Sequence, residues 1–269
     1  MIAAPISLAD VEAAAARLVG YIHHTPLLRC QALSDRTGCE LWLKGEHLQR
    51  SGSFKLRGAL NRLRQLSLVE KQRGVVAFSS GNHAQGVALA ARLVKTPAVI
   101  VMPSDAPKVK LDATRGYGAE VVLYDRLRED REAIARRLCD ERGAVLVPPF
   151  DDPHIMAGQG TVGLEILRDC PEVESIIVPI GGGGLISGIA TAVKAKKPSV
   201  RVIGVEPEVA SDAAQSRSAG RIVKIAQPQT IADGVATQSV GKLTFPVMQK
   251  LCDDIVTVSE SAIAQALLL

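Results

Sequence analysis

Four consecutive glycines constrain the fold of this chain more than any other feature of its sequence. They follow an apolar run at residues 175–180, which predicts a buried strand, and they precede residues 185–193, which predict a helix. Because strand and helix flank the glycines without a spacer, a flexible linker explains them poorly. Ordering glycine costs much backbone entropy, which is tolerable where a ligand must lie against bare backbone. The run Gly181, Gly182, Gly183 and Gly184 therefore predicts a phosphate cradle at a helix N-terminus.

Earlier in the chain, a first small-residue turn occupies positions 79–86 and reads S-S-G-N-H-A-Q-G. It follows an apolar run at residues 74–78, typical of a buried parallel strand, and precedes a helical pattern at 87–93. Backbone N–H groups at such a turn point towards one spot that suits a carboxylate or phosphate. The Asn82 side chain can both donate and accept hydrogen bonds there. An ordinary strand–helix turn capped by serine is the alternative explanation.

Lys55 is the candidate nucleophile. It lies between Phe54 and Leu56, early in a predicted helix, in a segment that reads S-G-S-F-K-L-R-G-A. At its ordinary pKa of about 10.4 a lysine amine is protonated at neutral pH and cannot attack a carbonyl group. Desolvation lowers that pKa and makes the amine available for a Schiff base. The alternative is a lysine that extends from the helix surface to water.

Composition and charge narrow the class of protein. The chain has 269 residues, of which 47% are hydrophobic and only 3% aromatic, so we expect an aliphatic core in one large or two modest domains. The net charge of +4 comes from dispersed basic residues, which disfavours nucleic-acid binding. No run of 18 apolar residues predicts a membrane span, and no signal peptide is evident. Five cysteines without a C-x-x-C pair indicate a reduced, cytoplasmic protein.

Strand and helix patterns alternate along the whole chain, which predicts an α/β fold with parallel sheets and helices on both faces. Ser7 is expected to cap a helix at residues 8–19, and Gly143 to end another at 130–142. The remaining predicted elements are strands at 40–44, 97–102, 119–123, 144–147, 202–205 and 254–258 and helices at 112–117 and from 261.

Along the chain the lysine segment comes first, then the turn at 79–86 and then the four glycines. The three motifs in that order and spacing resemble the fold type II pyridoxal-phosphate enzymes, and more narrowly the serine/threonine dehydratase and serine racemase family. The similarity runs from Ile6 to the chain end. It implies a tryptophan synthase β-like architecture of two parallel-sheet domains with pyridoxal 5′-phosphate in the cleft between them. The large domain would comprise residues 1–65 and 152–269, and a small mobile domain residues 66–151. Family members are commonly dimers, so a homodimer is expected.

The resemblance also assigns roles to individual residues. Lys55 would bind the cofactor's aldehyde and later move the proton of the substrate's Cα. Phe54 would pack beside the cofactor ring, Asn82 would bond its 3′-oxygen, and the four glycines would bind its phosphate. The segment I-A-D-G-V at 231–235 places Gly234 and Val235 along the cofactor. The substrate carboxylate would be received by Ser79, Gly81, Asn82 and His83, mostly through backbone N–H groups.

The reaction implied is loss of a β-hydroxyl from serine, threonine or 3-hydroxyaspartate, giving a 2-oxo acid and ammonia. Ser80 leaves an alternative open, because racemases carry serine there as a second proton carrier on the face opposite Lys55. Hydroxyaspartate dehydratases also read S-S-G-N-H, and a helix-capping serine explains Ser80 equally well. A β-replacement reaction is disfavoured, since cysteine synthases usually read T-S-G-N-T.

Two further sites follow from the resemblance. Arg131 matches members that bind a second substrate carboxylate, although a solvated helix face rich in charge explains it without a ligand. Glu206, the Ala210 carbonyl and Asp212 match a divalent-cation site of serine racemases, and their oxygens suit Mg²⁺ or Ca²⁺. A loop with two exposed acids is the alternative for that segment.

The chain end departs from the family pattern. The last predicted helix stops on three leucines, whereas family members continue with further helices, strands and an S-G-G-N-like segment whose serine bonds the pyridine nitrogen. We therefore expect the C-terminal part of the large domain to be missing. This keeps a third possibility open, a non-catalytic or inactive remnant.

Overall fold

The computed structural model describes residues 4–268, which form three sheets surrounded by helices. Its strands are β1 (Leu27–Arg29), β2 (Trp42–Lys44), β3 (Val75–Phe78), β4 (Ala98–Pro103), β5 (Glu120–Tyr124), β6 (Val145–Leu146), β7 (Ser175–Pro179), β8 (Arg201–Pro207) and β9 (Asp254–Val258). Its α-helices are α1 (Leu8–Leu18), α2 (Gln31–Thr37), α3 (Lys55–Leu63), α4 (Leu68–Arg73), α5 (Asn82–Val94), α6 (Lys108–Gly116), α7 (Arg131–Arg142), α8 (Pro153–Asp169), α9 (Gly184–Lys196), α10 (Asp212–Ala219), α11 (Thr244–Leu251) and α12 (Glu260–Ala266). Short 3₁₀ helices lie at Glu46–Leu48, Glu208–Ala210 and Asp233–Val235.

The four-stranded sheet has the order β5-β4-β3-β6, and all of its strand pairs are parallel. Successive residues of β3 point to opposite faces, so Val75 and Ala77 pack in one core with α5, and Val76 and Phe78 pack in another with α7. Both faces are therefore buried, as the unbroken apolar run predicted. This sheet lies within residues 66–151, while the bounds and mobility of the predicted small domain stay a prediction.

The second parallel sheet has the order β7-β8-β9 and packs against α9, whose Ile186 and Ile189 share a core with Val178 and Val202. Each of the two predicted small-residue turns thus follows a parallel strand and opens a helix. A separate antiparallel pair joins β1 to β2. The strand at residues 40–44 was expected, but its pairing was not.

Helix α8 joins the two parts of the molecule, because it packs against α3 on one side and α9 on the other. The approach to α9 is close, with Gly160 directly against the backbone of Gly188. Helix α3 is held between α5 and α8. Its first residue, Lys55, is half-buried, and its backbone lies against Gly86 of α5.

Most predicted element bounds agree with the structure, including the Ser7 cap of α1 and the end of α7 at Gly143, which has a positive φ of 62°. Helix α6 was predicted too short, because it begins at Lys108 after Pro107, where an exposed Lys108–Asp112 pair supports the first turn. Strand β6 is shorter than predicted. Among residues 4–268, no helix combines the length and apolar character needed to cross a bilayer.

Candidate active site

Lys55 is the first residue of α3, and its half-buried side chain reaches the segment that follows β6. Its Nζ donates a hydrogen bond to the Pro149 carbonyl at 2.8 Å and lies 5.2 Å from the centre of the Phe54 ring. Desolvation by the surrounding protein lowers the pKa of this amine to about 8. About a tenth of the amine is therefore uncharged at pH 7, far more than for an ordinary lysine, and this neutral form is the one that a nucleophile or proton acceptor requires.

Helix α5 brings the first small-residue turn against Lys55. Gly86 lies so close that an added Cβ would be 3.0 Å from the Lys55 backbone, and Asn82 is one helical turn earlier on the same face. The buried His83 bonds the Val147 carbonyl through Nε2 at 3.0 Å. Desolvation, with the nearby charge of Lys55, lowers the His83 pKa to about 3, so the ring is neutral and Nε2 is the donor. Its buried Nδ1 has no partner among the described residues and can accept a hydrogen bond.

The glycine run forms a tight turn between β7 and α9. Gly183 caps the helix with φ of +88°, a conformation that favours glycine. A Cβ on Gly182 would overlap the Phe150 ring, so only glycine permits that contact. Thr244 stabilises the turn, because its hydroxyl donates a hydrogen bond to the Gly182 carbonyl at 2.7 Å. The turn leaves the first N–H groups of α9 without intrahelical acceptors, which is the donor set of an anion site.

The Gly234–Val235 segment lies beside this turn. A Cβ on Gly181 would be 3.3 Å from the Val235 Cα and 3.6 Å from the Gly234 carbonyl oxygen. The sequence-predicted cofactor residues at 181–184 and at 234–235 are therefore neighbours, although 50 positions separate them in the chain.

Residues 149–151 connect the lysine to the glycine turn, and sequence reasoning missed them. Pro149 accepts from Lys55, Phe150 packs on Gly182, and Asp151 accepts from the Leu243 N–H at 2.7 Å. Because consecutive residues touch both of them, the lysine and the glycine turn lie close together. In the sequence these residues belong to a P-P-F-D-D segment between a strand and a helix, and such a segment predicts a connecting loop but no role in a site.

The first turn differs from expectation in two details. Helix α5 has Gly81 as its N-cap, so the half-buried Ser80 is not the capping residue. The Gly81 N–H donates to the Ser79 hydroxyl at 3.1 Å, so a donor expected to face a carboxylate already has an acceptor within the turn. The N–H groups that open α5, those of Asn82 and His83, have no acceptor within the helix and so suit an anion.

Two cations flank the same turn. Arg131 is the first residue of α7, and its guanidinium lies 5.5 Å from the centre of the Phe78 ring. Phe78 directly precedes Ser79 in the chain. Lys110 was not predicted, and its Nζ lies 3.1 Å from the position a Cβ on Gly81 would take. The Lys110 ammonium pairs with Asp233 at 2.5 Å.

The segment predicted to bind a cation brings Glu206 and Asp212 together, both buried. Glu206 accepts from the N–H groups of Ala213 at 3.0 Å and Ala214 at 2.8 Å, whereas neither carboxylate oxygen of Asp212 makes a hydrogen bond. Burial raises the pKa of Glu206 to about 7, and burial with the neighbouring Glu206 charge raises the pKa of Asp212 to about 7. Within the described residues, no three His, Cys, Asp or Glu side chains are grouped to hold a metal.

Arg57 anchors the helix that carries Lys55, and it too was missed. Its fully buried guanidinium bonds Glu46 at 2.7 Å and Glu165 at 2.6 Å. Lys44 also pairs with Glu165, at 2.7 Å. Desolvation lowers the Arg57 pKa, but the hydrogen bonds of Glu46 and Glu165 more than offset it, so the pKa is raised overall. Arg57, two positions after Lys55, is thus bonded to the segment just before α3 and to α8, which is 108 positions away at Glu165.

These residues together fit a cofactor that carries an aldehyde and a phosphate. The amine of Lys55 is more readily deprotonated than an ordinary lysine, because its pKa is lowered to about 8, and the glycine turn beyond residues 149 and 150 is shaped for an anion. Asn82, on the face of α5 that meets Lys55, is placed for a polar group between them.

Comparison with known proteins gives the same result. Residues 18–269 match the model of a family described as pyridoxal-phosphate dependent enzyme. The L-threo-3-hydroxyaspartate ammonia-lyase of Saccharomyces cerevisiae is 47% identical over 258 residues, covering 96% of this chain and 79% of that protein. The catabolic L-threonine dehydratase of Escherichia coli is 45% identical over 264 residues, covering 98% and 80%. The structure of maize serine racemase has a TM-score of 0.96 at 42% identity, covering 98% of this chain and 80% of that one.

Proposed function

This chain belongs to the family of pyridoxal-phosphate dependent enzymes, and we propose that it eliminates the hydroxyl of a β-hydroxy amino acid as water, after which hydrolysis of the resulting enamine releases ammonia and a 2-oxo acid. Similarity to a hydroxyaspartate ammonia-lyase and to a threonine dehydratase supports this reaction class. The observation that carries the proposal is the Lys55 amine, desolvated to a pKa of about 8 and joined through residues 149 and 150 to the glycine turn.

The roles proposed for the residues follow from their positions. Lys55 holds the cofactor's aldehyde and accepts the substrate's Cα proton, the four glycines at 181–184 bind the phosphate, and Asn82 bonds the ring oxygen. Phe54, Gly234 and Val235 line the ring. When bound, the cofactor stabilises the negative charge that develops at Cα. The substrate carboxylate is received at the opening of α5 by Asn82 and His83, with the Ser79 and Gly81 backbone completing the turn.

Domain movement is part of the same proposal. The sheet formed by β3 to β6 belongs to the proposed small domain, residues 66–151, and the first small-residue turn moves with it. Closure of that domain would bring the carboxylate donors to the cofactor and exclude water. A homodimeric assembly and a cytoplasmic location remain predictions, supported only by the family resemblance and by five cysteines that are all free.

The reaction can be tested with matched amino acids. We expect L-serine, L-threonine or L-threo-3-hydroxyaspartate to yield stoichiometric 2-oxo acid and ammonia in the presence of pyridoxal 5′-phosphate. L-Alanine, which lacks a β-leaving group, should yield neither. Release of 2-oxo acid from L-alanine at the same rate, or from none of the hydroxy amino acids, would contradict β-elimination.

Racemisation is the second candidate, favoured by one observation. Ser80 is half-buried on the turn and is not the N-cap of α5, so capping does not account for it. The structural similarity to maize serine racemase also supports racemisation as a candidate reaction. Chiral analysis of unreacted substrate in the same assay separates the two reactions, because D-serine formation that Ser80→Ala abolishes identifies a second proton carrier.

We also propose that Glu206, Asp212 and the Ala210 carbonyl bind Mg²⁺ or Ca²⁺. The supporting observation is the buried Asp212 carboxylate, which has no close hydrogen-bond partner while Glu206 lies beside it. Burial and the Glu206 charge raise the Asp212 pKa overall, although Thr237 and the Val240 N–H act to lower it. Two adjacent buried carboxylates repel each other unless a proton or a cation intervenes. Oxygen ligands of this kind suit a hard divalent cation.

Cation binding predicts a measurable gain in stability. At 100 times the dissociation constant, Ca²⁺ or Mg²⁺ should stabilise the native state by about 2.7 kcal/mol, seen as a rise in melting temperature that EDTA reverses. The effect should be lost in Asp212→Asn but kept in Glu208→Gln, which alters an exposed neighbouring acid. Equal melting temperatures of the wild-type protein with the cation and with EDTA would contradict the site.

A further inference from the structure

Lys110 is placed where a second substrate carboxylate would be recognised. It lies in α6, and its ammonium is next to Gly81 in the turn that opens α5. Its ion-pair partner Asp233 directly precedes Gly234, which neighbours the glycine turn. The ammonium therefore bridges the two ends of the cleft, with the proposed carboxylate donors on one side and the proposed cofactor residues on the other.

The pairing of Lys110 with Asp233 is suited to exchange. Asp233 is 72% exposed and Lys110 is 26% exposed, so water competes for the pair. Exposed ion pairs contribute little to stability, because solvent screens the charges and ordering the side chains costs entropy. A carboxylate that arrives on a ligand can thus replace Asp233 at small cost while keeping the Lys110 charge neutralised.

The geometry points to Lys110 as the residue that selects a dicarboxylic β-hydroxy amino acid, 3-hydroxyaspartate in particular, over serine and threonine. This inference rests on the proposed function. The substrate's first carboxylate binds at the opening of α5, and its second meets the ammonium beside Gly81. Asp233 is then an internal competitor that occupies Lys110 whenever a monocarboxylic substrate, or none, is bound.

Arg131 is the other cation at this turn, but its position is less direct. Its guanidinium lies over the Phe78 ring, on the residue that precedes the turn, whereas the Lys110 ammonium lies against the turn itself. The competing explanation is that Lys110 and Asp233 form only a structural ion pair, a latch that holds the two segments together without contacting the substrate. The two explanations predict different results, because a latch acts on every substrate alike.

The test compares kcat/KM for L-threo-3-hydroxyaspartate with kcat/KM for L-serine in the holoenzyme. In Lys110→Met the ratio should fall about tenfold or more, the loss expected for one charge-assisted hydrogen bond. In Asp233→Asn the ratio should rise, because the competitor for the ammonium is weakened. Lys108→Met is the matched control, since it removes the same charge from an 87% exposed site on the same helix and should leave the ratio unchanged.

Inhibition supplies a second readout that does not depend on turnover of the diacid. L-Aspartate and L-2-aminobutyrate differ in a second carboxylate and both lack a β-hydroxyl. Lys110→Met should weaken inhibition of L-serine elimination by L-aspartate about tenfold more than inhibition by L-2-aminobutyrate. If Lys110→Met and Asp233→Asn shift the kcat/KM ratio in the same direction, or leave it unchanged, the inference is overturned while β-elimination stands. Absence of 2-oxo acid from every hydroxy amino acid overturns the proposed function and this inference with it.

Discussion

Replacement of Lys55 by alanine is expected to lower kcat for elimination by about 10²–10⁴-fold, the usual contribution of a positioned proton carrier. The structure gives the reason, because the Lys55 amine has a pKa lowered to about 8 by desolvation and is held at 2.8 Å from the Pro149 carbonyl. Alanine removes both the covalent attachment of the cofactor and the base for the Cα proton. The measurement is steady-state production of 2-oxo acid at saturating pyridoxal 5′-phosphate.

The pH dependence of cofactor loading checks the same residue. Since the neutral amine is the reactive form, the rate at which the apoprotein takes up the cofactor should increase with pH and level off above about 8. Lys108→Ala, which alters an 87% exposed lysine, should match the wild-type protein in both assays. A Lys55→Ala protein with wild-type kcat would contradict the assignment of the base.

Replacement of Arg57 by methionine should lower the free energy of unfolding by about 3–5 kcal/mol, the cost of breaking a buried ion pair by removing one partner. Arg57 is fully buried, and its loss leaves the Glu46 and Glu165 carboxylates without their shared cation. Urea denaturation followed by circular dichroism measures this change. The effect should diminish in acid. Burial raises the Glu165 pKa, but Arg57 and Lys44 more than offset it, so that the pKa lies below its ordinary value. Stability from that group is present above about pH 4.5 and is lost as the pH falls through the lower folded-state pKa.

Two controls separate the buried charge from a general loss of packing. Arg29→Met removes an exposed partner of Glu40 and should cost no more than about 1 kcal/mol. The double variant with Arg57→Met and Glu46→Gln should be more stable than Arg57→Met alone, because Glu46 then carries no uncompensated charge and Glu165 keeps its ion pair with Lys44. If the double variant is as unstable as the sum of its single changes, the ion-pair explanation fails and lost packing accounts for the effect.

Local sequence patterns were enough to select the lysine and the glycine turn as candidate site residues. Lys55 follows an aromatic residue at a helix start, and the glycines at 181–184 follow an apolar strand, so each pattern is contained in a few consecutive residues. The alternation of strands and helices likewise predicted two parallel sheets, which the structure confirms.

Contacts between distant residues could not be predicted in the same way. Pro149 accepts a hydrogen bond from a residue 94 positions earlier, and Lys110 pairs with a residue 123 positions later. Nothing in the local sequence marks Lys110 as different from Lys108, which is exposed on the same helix. Arg57 reads as one more helical arginine until Glu46 and Glu165 are placed beside it. These partners are set by how α3, α6 and α8 pack.

Borohydride reduction of the cofactor-loaded protein, followed by peptide mass mapping, tests the central claim most directly. We predict one reduced pyridoxyl group, attached to the peptide that contains Lys55, with no such adduct in Lys55→Ala. An adduct on a different lysine, or cofactor that dissociates completely after reduction, would contradict the account.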